Sequence, residues 1–264
     1  MPVITLTTEW RPDDIYTGIL KGRICSLAPG ANIIDNASAL PAFNIPHASF
    51  VVRNTFSFYP QGSIHIICVG SEASKETKYL AVKAKGHYFI GTDNGIFNLI
   101  LNSGPDEAVV LGKDEKKSEL DIFAETAAEI FAGKELSQIG SPIVNIVEKV
   151  PLRATIDKNL ILGSVIFIDS YGNAFTNITK DIFLRVFDQK PYRIIIQSNR
   201  NFISSIKEKY CDVPDGELLA RFNYLNLIEI AINGANISEL FNLEVGSSVR
   251  IEIADETIRK NGLF

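Results

Sequence analysis

The pattern of strands and helices changes near residue 150, and this change limits the possible folds more than any other feature. Before it, β-branched runs such as "PVITLTT", "NIIDNA" and "SIHIICVG" alternate with helical segments. After it, "GSVIFID", "AFTNI", "YRIIIQS" and "SSVRIEIA" follow one another, separated by turns rich in Gly, Asn and Asp. Alternation is typical of parallel sheets, and consecutive short strands are typical of antiparallel ones. The sequence therefore predicts an α/β domain with a largely parallel sheet over residues 1–150. A smaller antiparallel β domain should follow over residues 151–264.

Two helices of the first domain have predictable ends. The segment "DDIYTGILKGRICSLAPG" has the pattern of an amphipathic helix that stops at Pro29 and Gly30. In "SELDIFAETAAEIF", Ser118 and Asp121 have the spacing of a capping box, and apolar residues then repeat at helical spacing.

Composition limits the partners and the compartment. A net charge of −5 gives no broad cationic surface for nucleic acid. The longest apolar runs have the length of strands, so no membrane span is predicted, and the first residues lack the pattern of a secretory signal. We therefore expect a cytoplasmic protein. The few, widely spaced cysteines predict buried thiols and neither a disulfide framework nor a metal cluster (Cys25, Cys68 and Cys211).

Common metal and phosphate motifs are missing from the sequence. His47, His65 and His87 stand apart from cysteines and carboxylates at metal-ligand spacing, and His65 lies within a predicted strand. Neither GxGxxG nor GxxxxGK[ST] occurs. The segment "GTDNGIF" fits a nucleotide-contacting loop or an ordinary turn, and its Asp-Asn-Gly sequence favours the turn.

Three acids follow the first predicted strand in "TTEWRPDDIYTG". Glu9, Asp13 and Asp14 lie where a strand gives way to a helix, which is the usual position of a site in open α/β sheets. Acids at this place also cap helices and interact favourably with the helix dipole. Without further information, capping is the simpler interpretation.

A second polar cluster lies in the hairpin "IDSYGNAFTN" of the β domain. The simpler interpretation is a tight turn in which side chains bond their own backbone. In the functional interpretation, Asp169 accepts an ammonium group, Tyr171 stacks on a base, and Asn173 hydrogen-bonds heteroatoms of a ligand. The stretch alone supports both interpretations.

Taken in order, the segments resemble the S-adenosylmethionine hydroxide adenosyltransferase family, a relative of the adenosyl-fluoride and adenosyl-chloride synthases. The resemblance covers almost the whole chain and rests on the family's order of fragments. These are "ITLTTEWRPDDIYTGILKGRI", "NIIDNASALPAFNIPHASFVV", "YPQGSIHIICV", "GTDNGIF", "LDIFAETAAEIFAG", "IDSYGNAFTNI" and "IEIAINGAN".

The resemblance implies a homotrimer that binds S-adenosylmethionine (SAM) between the first domain of one subunit and the second domain of the next. It implies no other cofactor and no metal. Glu9 matches the family acid that contacts the ribose hydroxyls, although the family has the shorter Asp, and Asp14 matches a second acid. Asp169 would face the ammonium group, with Tyr171 and Asn173 along the adenosine. Asn223 matches a residue near the ligand carboxylate, and Tyr224 and Asn226 replace the Ser and Gly that usually follow.

The departures from the family concern its chemistry. Family hydrolases carry an Asp, an Arg and a His whose places are taken here by Gly70, Thr77 and Ser118. A further family His corresponds to Ser38. The expected catalytic set is therefore absent from the sequence.

Cleavage of SAM at the ribose C5′ releases neutral methionine, so the leaving group needs no acid. Attacking water must lose a proton, and general-base assistance gives about 10²–10⁴-fold. Glu72, Glu76 and Asp93 are the candidate substitutes for the missing base. A halide needs no base, only desolvation and alignment. It could be held by hydroxyls of Ser71, Ser74, Thr77 and Ser118.

Three hypotheses follow from the sequence. The protein is a divergent enzyme that cleaves SAM to adenosine and methionine, a catalytically inactive sensor that binds SAM or adenosine, or an oligomeric scaffold without ligand. Retention of Asp14 and the Asp169 turn favours the first two. Loss of the catalytic set favours the sensor over the enzyme, whereas the family resemblance keeps SAM cleavage as the first expectation, with halide-dependent adenosyl transfer as a further alternative.

Overall fold

The computed structural model of the chain describes residues 2–71, 76–112 and 116–254. The chain divides into two compact units, residues 1–151 and residues 152–264, called here the N-terminal and C-terminal units. None of the helices in the described ranges has the length and apolar character that crossing a membrane requires.

The N-terminal unit alternates strands and helices along most of its length. Its elements are β1 (Ile4–Thr8), α1 (Ile15–Leu27), β2 (Ile33–Ala37), α2 (Ile45–Thr55), β3 (Ile64–Cys68), β4 (Tyr79–Ala84), β5 (His87–Thr92), α3 (Ile96–Leu101), β6 (Glu107–Leu111), α4 (Glu119–Phe131), α5 (Leu136–Ile139) and β7 (Gly140–Pro142).

The sheet of the N-terminal unit is only partly parallel, which corrects the prediction of a largely parallel sheet. Its seven strands lie in the order β2-β1-β3-β5-β4-β6-β7. The pairs β1–β2, β1–β3 and β3–β5 are parallel, whereas β4–β5, β4–β6 and β6–β7 are antiparallel. The reversal begins at Lys85 and Gly86, where φ is +52° and +77°. Two consecutive residues with positive φ make the two-residue turn of a β-hairpin, so β5 must run against β4.

The N-terminal sheet is buried on both faces. In β3, Ile64 and Ile66 pack into one apolar cluster with α1 and α4. Ile67 belongs to a second cluster on the opposite face, with α2 and α3. Each fully buried aliphatic side chain of this kind contributes about 1.5–3 kcal/mol relative to an exposed one. Burial on both faces leaves the ends of the strands as the places for polar groups.

Two of the sequence predictions about helices have different outcomes. The capping box of α4 is confirmed, because Ser118 Oγ accepts from the Asp121 backbone N–H and the Asp121 carboxylate accepts from the Ser118 N–H. The amphipathic pattern of α1 is wrong: Leu20 and Ile24 are buried, but Ile15 and Ile19 are exposed on the other side of the helix.

The cysteine prediction is correct for one residue of three. Cys68 is buried at the end of β3, and burial raises the pKa of its thiol. Cys25, on α1, and Cys211 are exposed, which corrects the expectation that all three are buried.

The C-terminal unit is built around an antiparallel sheet. Its elements are β8 (Thr155–Asp157), β9 (Leu160–Ile168), β10 (Ala174–Thr179), α6 (Lys180–Phe187), β11 (Tyr192–Ile196), β12 (Ser198–Ile203), β13 (Ile206–Lys207), β14 (Leu218–Phe222), β15 (Leu227–Ile232), α7 (Ile237–Leu240) and β16 (Ser248–Ile253).

Eight of the nine strands follow the order β12-β11-β16-β9-β10-β15-β14-β13, and β8 pairs with β9. The short β13–β14 pair is parallel, and the other pairs are antiparallel. Helix α6, which sequence analysis did not identify, packs Phe183, Val186 and Phe187 into the core of this unit. Alternation along β15 sends Ile228 and Ile230 into that core and Glu229 to the opposite face.

Two buried histidines lie inside the N-terminal unit. His65 Nδ1 shares a hydrogen bond of 2.7 Å with Thr5 Oγ1, and His65 Nε2 shares one of 3.1 Å with His87 Nδ1. His65 is therefore a strand residue, as predicted from the sequence. Burial, with a smaller contribution from His87, lowers the pKa of His65 to about 3.

The low pKa of His65 predicts a pH-dependent stability. An unfolded histidine takes up a proton below about pH 6.5, whereas the folded His65 stays neutral, so acid favours unfolding by up to about 1.4 kcal/mol per pH unit. Urea unfolding at about pH 7.5 and about pH 5 should show a smaller pH-dependent loss for His65→Gln than for wild type. His47→Gln is the comparison, because burial lowers the pKa of this half-buried helical histidine in the same direction but less, and its effect should be smaller than that of His65→Gln. Equal losses in wild type and His65→Gln would contradict the assignment.

Candidate functional site

Polar residues of the N-terminal unit gather at the carboxyl ends of β1, β3 and β5. These strands are parallel neighbours, so the segments that follow them meet at one edge of the sheet. Glu9 follows β1, Gly70 follows β3, and Asn94 follows β5. Open α/β sheets bind ligands at this edge.

Glu9 ties two loops of this edge together. Its Oε2 accepts a 2.6 Å hydrogen bond from the Phe43 backbone N–H, and its Oε1 accepts a 3.2 Å bond from the Gly70 N–H. Phe43 has φ of +59° and its side chain is 69% exposed. A non-glycine residue held at positive φ stores backbone strain and is more common at functional sites. Glu9 thus fixes the backbone of a residue whose aromatic side chain is exposed.

The other two acids after β1 behave differently from Glu9. Asp14 is the N-cap residue of α1, but its side chain makes no capping hydrogen bond. Its carboxylate is not used by the helix, so capping does not explain this residue. Asp13 pairs with Arg11, and both are exposed.

The positions that match the missing catalytic set have structural roles at two of three places. Gly70 has φ of +55° and donates its N–H to Glu9, while Asn94 Nδ2 donates to the Gly70 carbonyl. Ser118 donates its hydroxyl to Asp121 and caps α4, and Arg23 pairs with the same Asp121. Thr77, the third position, is half-buried.

The candidate replacement groups are also located. Asp93 Oδ1 accepts from the Val147 N–H at 2.9 Å. Glu76 is exposed, and Ser71 is buried with its carbonyl accepting from Tyr79 Oη. Glu72 and Ser74 lie outside the described residues. Within the described ranges no three His, Cys, Asp or Glu side chains come together as a metal site.

In the C-terminal unit, Asp169 organises the turn between β9 and β10. Its Oδ1 accepts from the backbone N–H groups of Tyr171 and Asn173, both at 2.9 Å, and its Oδ2 accepts from Asn173 Nδ2 at 3.0 Å. The side chains bond their own turn, as the simpler sequence interpretation expected. Tyr171 is 77% exposed, so its ring is not part of the packing of the turn.

Gly172 is required at this turn for two reasons. Its φ is +82°, a conformation that L-residues rarely adopt. A Cβ at this position would overlap the side chain of Asn236, which caps α7 through the Glu239 N–H. The Gly172 carbonyl also accepts from the Ser238 N–H.

A polar network continues from the turn across the sheet face opposite the core. Asn173 Nδ2 lies 3.5 Å from Tyr210 Oη, which donates a 2.5 Å hydrogen bond to Glu229 Oε1. Arg221 stands opposite Glu229 in the register of β14 and β15, and its guanidinium lies 4.8 Å from the centroid of the Tyr210 ring. Burial raises the pKa of Glu229, and burial together with Glu229 raises the pKa of Tyr210 to about 12.

Asn223 lies in the turn that follows β14, two residues beyond Arg221. Its Oδ1 accepts from the Leu225 and Leu227 N–H groups, which holds its own turn. Asn223 is 9% exposed, and its Nδ2 has no hydrogen-bond partner in the described part of the chain. The Nε of Arg221 is also buried and unpaired among these residues. The two residues lie on one side of β14, and each keeps a buried donor for which the described residues supply no acceptor. Tyr224 is 82% exposed and does not bury this turn.

Several residues of these clusters were not predicted from the sequence. Glu229 had a recognisable signal, since it is the one charge in the apolar strand "LIEIAI". Arg221 had a weaker one in "LLARF", while Tyr210 and Phe43 lie in segments without a clear period. Their importance depends on contacts between residues far apart in sequence.

Comparison with known proteins gives a consistent result over both units. Family models described as SAM hydroxide adenosyltransferase N-terminal and C-terminal domains match residues 4–140 and 163–250. The (R)-S-adenosyl-L-methionine hydrolase of Methanocaldococcus jannaschii is 26% identical, covering 95% of this chain and 96% of that protein. The hydrolase of the same name from Thermus thermophilus is 25% identical, covering 95% and 100%. The crystal structure of an uncharacterized conserved protein from Thermotoga maritima has a TM-score of 0.84 at 26% identity, covering 94% and 99%.

The double requirement at Gly172 can be separated by a matched pair of variants. Gly216 also has φ of +82°, but nothing lies within 4 Å of a Cβ added there. We expect Gly216→Ala to lower the free energy of unfolding by about 1–2 kcal/mol, the cost of the backbone conformation. Gly172→Ala should cost at least about 1 kcal/mol more, because the Asn236 side chain must also move. Denaturant unfolding measures both, and equal losses would exclude the Asn236 contact as a constraint.

Proposed function

Because the chain belongs to the SAM hydroxide adenosyltransferase family, we propose that it binds SAM through the Asp169 turn and cleaves it far more slowly than a member with the complete catalytic set. The observation that carries the proposal is the pair of unpaired buried donors, Arg221 Nε and Asn223 Nδ2, on the sheet face that also holds the Asp169 network. A free amino acid group offers an ammonium and a carboxylate, and this face offers an acid and two donors for them.

The geometry of Asp169 supports recognition of the ammonium group. A carboxylate has about four lone-pair sites, and the turn uses three of them. The fourth site is left for a ligand donor, and the three internal bonds fix its direction. The methionine end of SAM supplies such a donor as a charged –NH₃⁺, whereas adenosine has no ammonium group.

The N-terminal unit supports the nucleoside half of the proposal. Glu9 and Asp14 are acids at the carboxyl edge of the sheet, and Glu9 holds the backbone of Phe43, whose ring is exposed. An aromatic face stacks on any base, and carboxylates accept from ribose hydroxyls. We further propose a homotrimer in which the N-terminal unit of one subunit and the C-terminal unit of the next share a ligand. Family resemblance supports this arrangement, and a solution mass of one chain by light scattering would exclude it.

The proposed reaction is the family's adenosyl transfer to water. The water oxygen would attack C5′, the C5′–S bond would break with its electron pair going to sulfur, and one water proton would be lost to a base. Ser118 is committed to its capping box and Gly70 has no side chain, so neither position supplies that base. Because neither Gly70 nor Ser118 can take the proton, a second candidate function is a SAM-binding sensor without turnover.

Binding is tested by Asp169→Asn, which keeps an oxygen acceptor for the Tyr171 and Asn173 N–H groups but removes the charge and the acceptor of Asn173 Nδ2. Calorimetry should show SAM binding weakened roughly ten- to hundredfold, the value of a charge-assisted hydrogen bond, and adenosine binding changed by less than about threefold. Asp188→Asn makes the same charge change at the exposed end of α6 and should leave both affinities unchanged. Equal weakening of both ligands would refute ammonium pairing, and a wild type that binds neither ligand would refute the function.

Turnover is tested by chromatography of a SAM incubation, with the M. jannaschii hydrolase assayed beside it. We expect equimolar adenosine and methionine at a rate about 10²–10⁴-fold lower, because the proton of the attacking water has no positioned acceptor. Saturable binding with no product above a heat-killed control would instead establish the sensor. Chloride-dependent 5′-chloroadenosine would establish halide attack.

A further inference from the structure

Glu229 is a buried acid that the proposed reaction does not use. It lies in the middle of β15 and is 3% exposed. A carboxylate in such a place costs free energy unless it is hydrogen-bonded. The hydrogen bond that it accepts comes from Tyr210 Oη. Packing alone would be served better by an apolar residue at this position.

The Tyr210 hydroxyl connects this buried acid to the ligand-facing turn. It donates to Glu229 Oε1 and lies 3.5 Å from Asn173 Nδ2, whose amide also donates to Asp169 Oδ2. Asn173 is itself buried, at 6% exposure. The four side chains therefore form one line of contacts from the centre of β15 to the Asp169 carboxylate.

Arg221 holds the Tyr210 ring in place in this line. Its guanidinium lies 4.8 Å from the ring centroid, and its backbone is paired with Glu229 on the neighbouring strand. A cation over the ring face and an acceptor at its hydroxyl fix both the plane and the end of the ring. Tyr210 sits on a single helical turn, Tyr210–Asp212, whose start is held by Asp212 Oδ2 accepting from the Lys209 N–H.

We propose that Tyr210 is a positioning residue for the ligand-binding turn, and that its hydroxyl, anchored on Glu229, sets the orientation of Asn173 and through it Asp169. The inference rests on the proposed function for its consequence in binding. The orientation of Asn173 and Asp169 by Tyr210 is a property of the ligand-free protein. In this proposal Glu229 is the fixed acceptor of the hydrogen bond from the Tyr210 hydroxyl.

Tyr210→Phe removes the hydroxyl and keeps the ring under Arg221. The Tyr171 and Asn173 amides both donate to Asp169 Oδ1, so their hydrogen exchange reports the orientation of that carboxylate. We expect NMR-detected exchange of these two amides in the ligand-free variant to be about three- to tenfold faster than in wild type. Unchanged exchange would overturn the proposal, whether or not the protein binds SAM.

Binding gives a second readout that a merely structural role would not produce. SAM affinity should fall about three- to tenfold in Tyr210→Phe and in Glu229→Leu, which leaves the hydroxyl without its acceptor. Glu229→Gln keeps an oxygen acceptor and should stay within about twofold of wild type. If Glu229→Gln is as weak as Glu229→Leu, charge and not anchoring is the role of Glu229, and the proposal fails.

Tyr192→Phe is the matched control. Tyr192 is a tyrosine of the same unit whose Oη accepts from the Ile206 N–H at 2.8 Å, in β11. Its loss should lower the midpoint of unfolding without changing turn exchange or SAM affinity. If Tyr192→Phe changes both readouts as much as Tyr210→Phe, the effect is general destabilisation and the proposal is wrong. A wild type that does not bind SAM, with fast turn exchange in Tyr210→Phe, would refute the function and support the positioning role.

Discussion

A strand that is buried on both faces has room for unpaired polar groups only at its ends. In the N-terminal unit, β3 sends Ile66 to one apolar cluster and Ile67 to the other. Every polar side chain inside such a strand needs a partner, and His65 finds Thr5 and His87. Glu9 and Asn94 follow strand ends and are free to organise loops. The position of the candidate site at this edge is therefore a consequence of how the sheet is buried.

In the C-terminal sheet, the exclusion of polar side chains from strand interiors applies to one face only. Its core cluster covers one face, so alternation sends Glu229 and Arg221 to the other. A carboxylate and a guanidinium can occupy strand interiors there because they face each other and Tyr210. The turns at residues 169–173 and 223–226 both adjoin this polar face, through the contact of Asn173 with Tyr210 and through the chain after Arg221. This arrangement explains why residues far apart in sequence act on the same small region.

Much of the fold was predictable, and the errors have identifiable causes. Strands and the α4 capping box were readable because period-two alternation, β-branched runs and capping spacing are local signals. The direction of β5 was determined by positive φ at Lys85 and Gly86, and only the Gly86 preference is visible in sequence. Helix α1 is apolar on its exposed side, which no periodicity in its sequence distinguishes from a buried side. The bonds between Asp169 and Asn173 join residues four apart, so the turn was readable from the sequence, whereas the contact between Asn173 and Tyr210 joins residues 37 apart and has no local signal.

The two interpretations of the Asp169 turn are compatible with each other. Bonding of the backbone by Asp169 accounts for its presence in a tight turn, and the same bonds hold the carboxylate in one direction before any ligand arrives. Preorganised charge contributes more to binding than flexible charge, because ordering costs are met during folding. Binding and bond breaking also depend on different groups. Contacts that hold a substrate equally in the ground and transition states give affinity without rate, whereas a general base acts only as the proton leaves. A chain can therefore lose the groups at the positions of Gly70 and Ser118 and keep a ligand site.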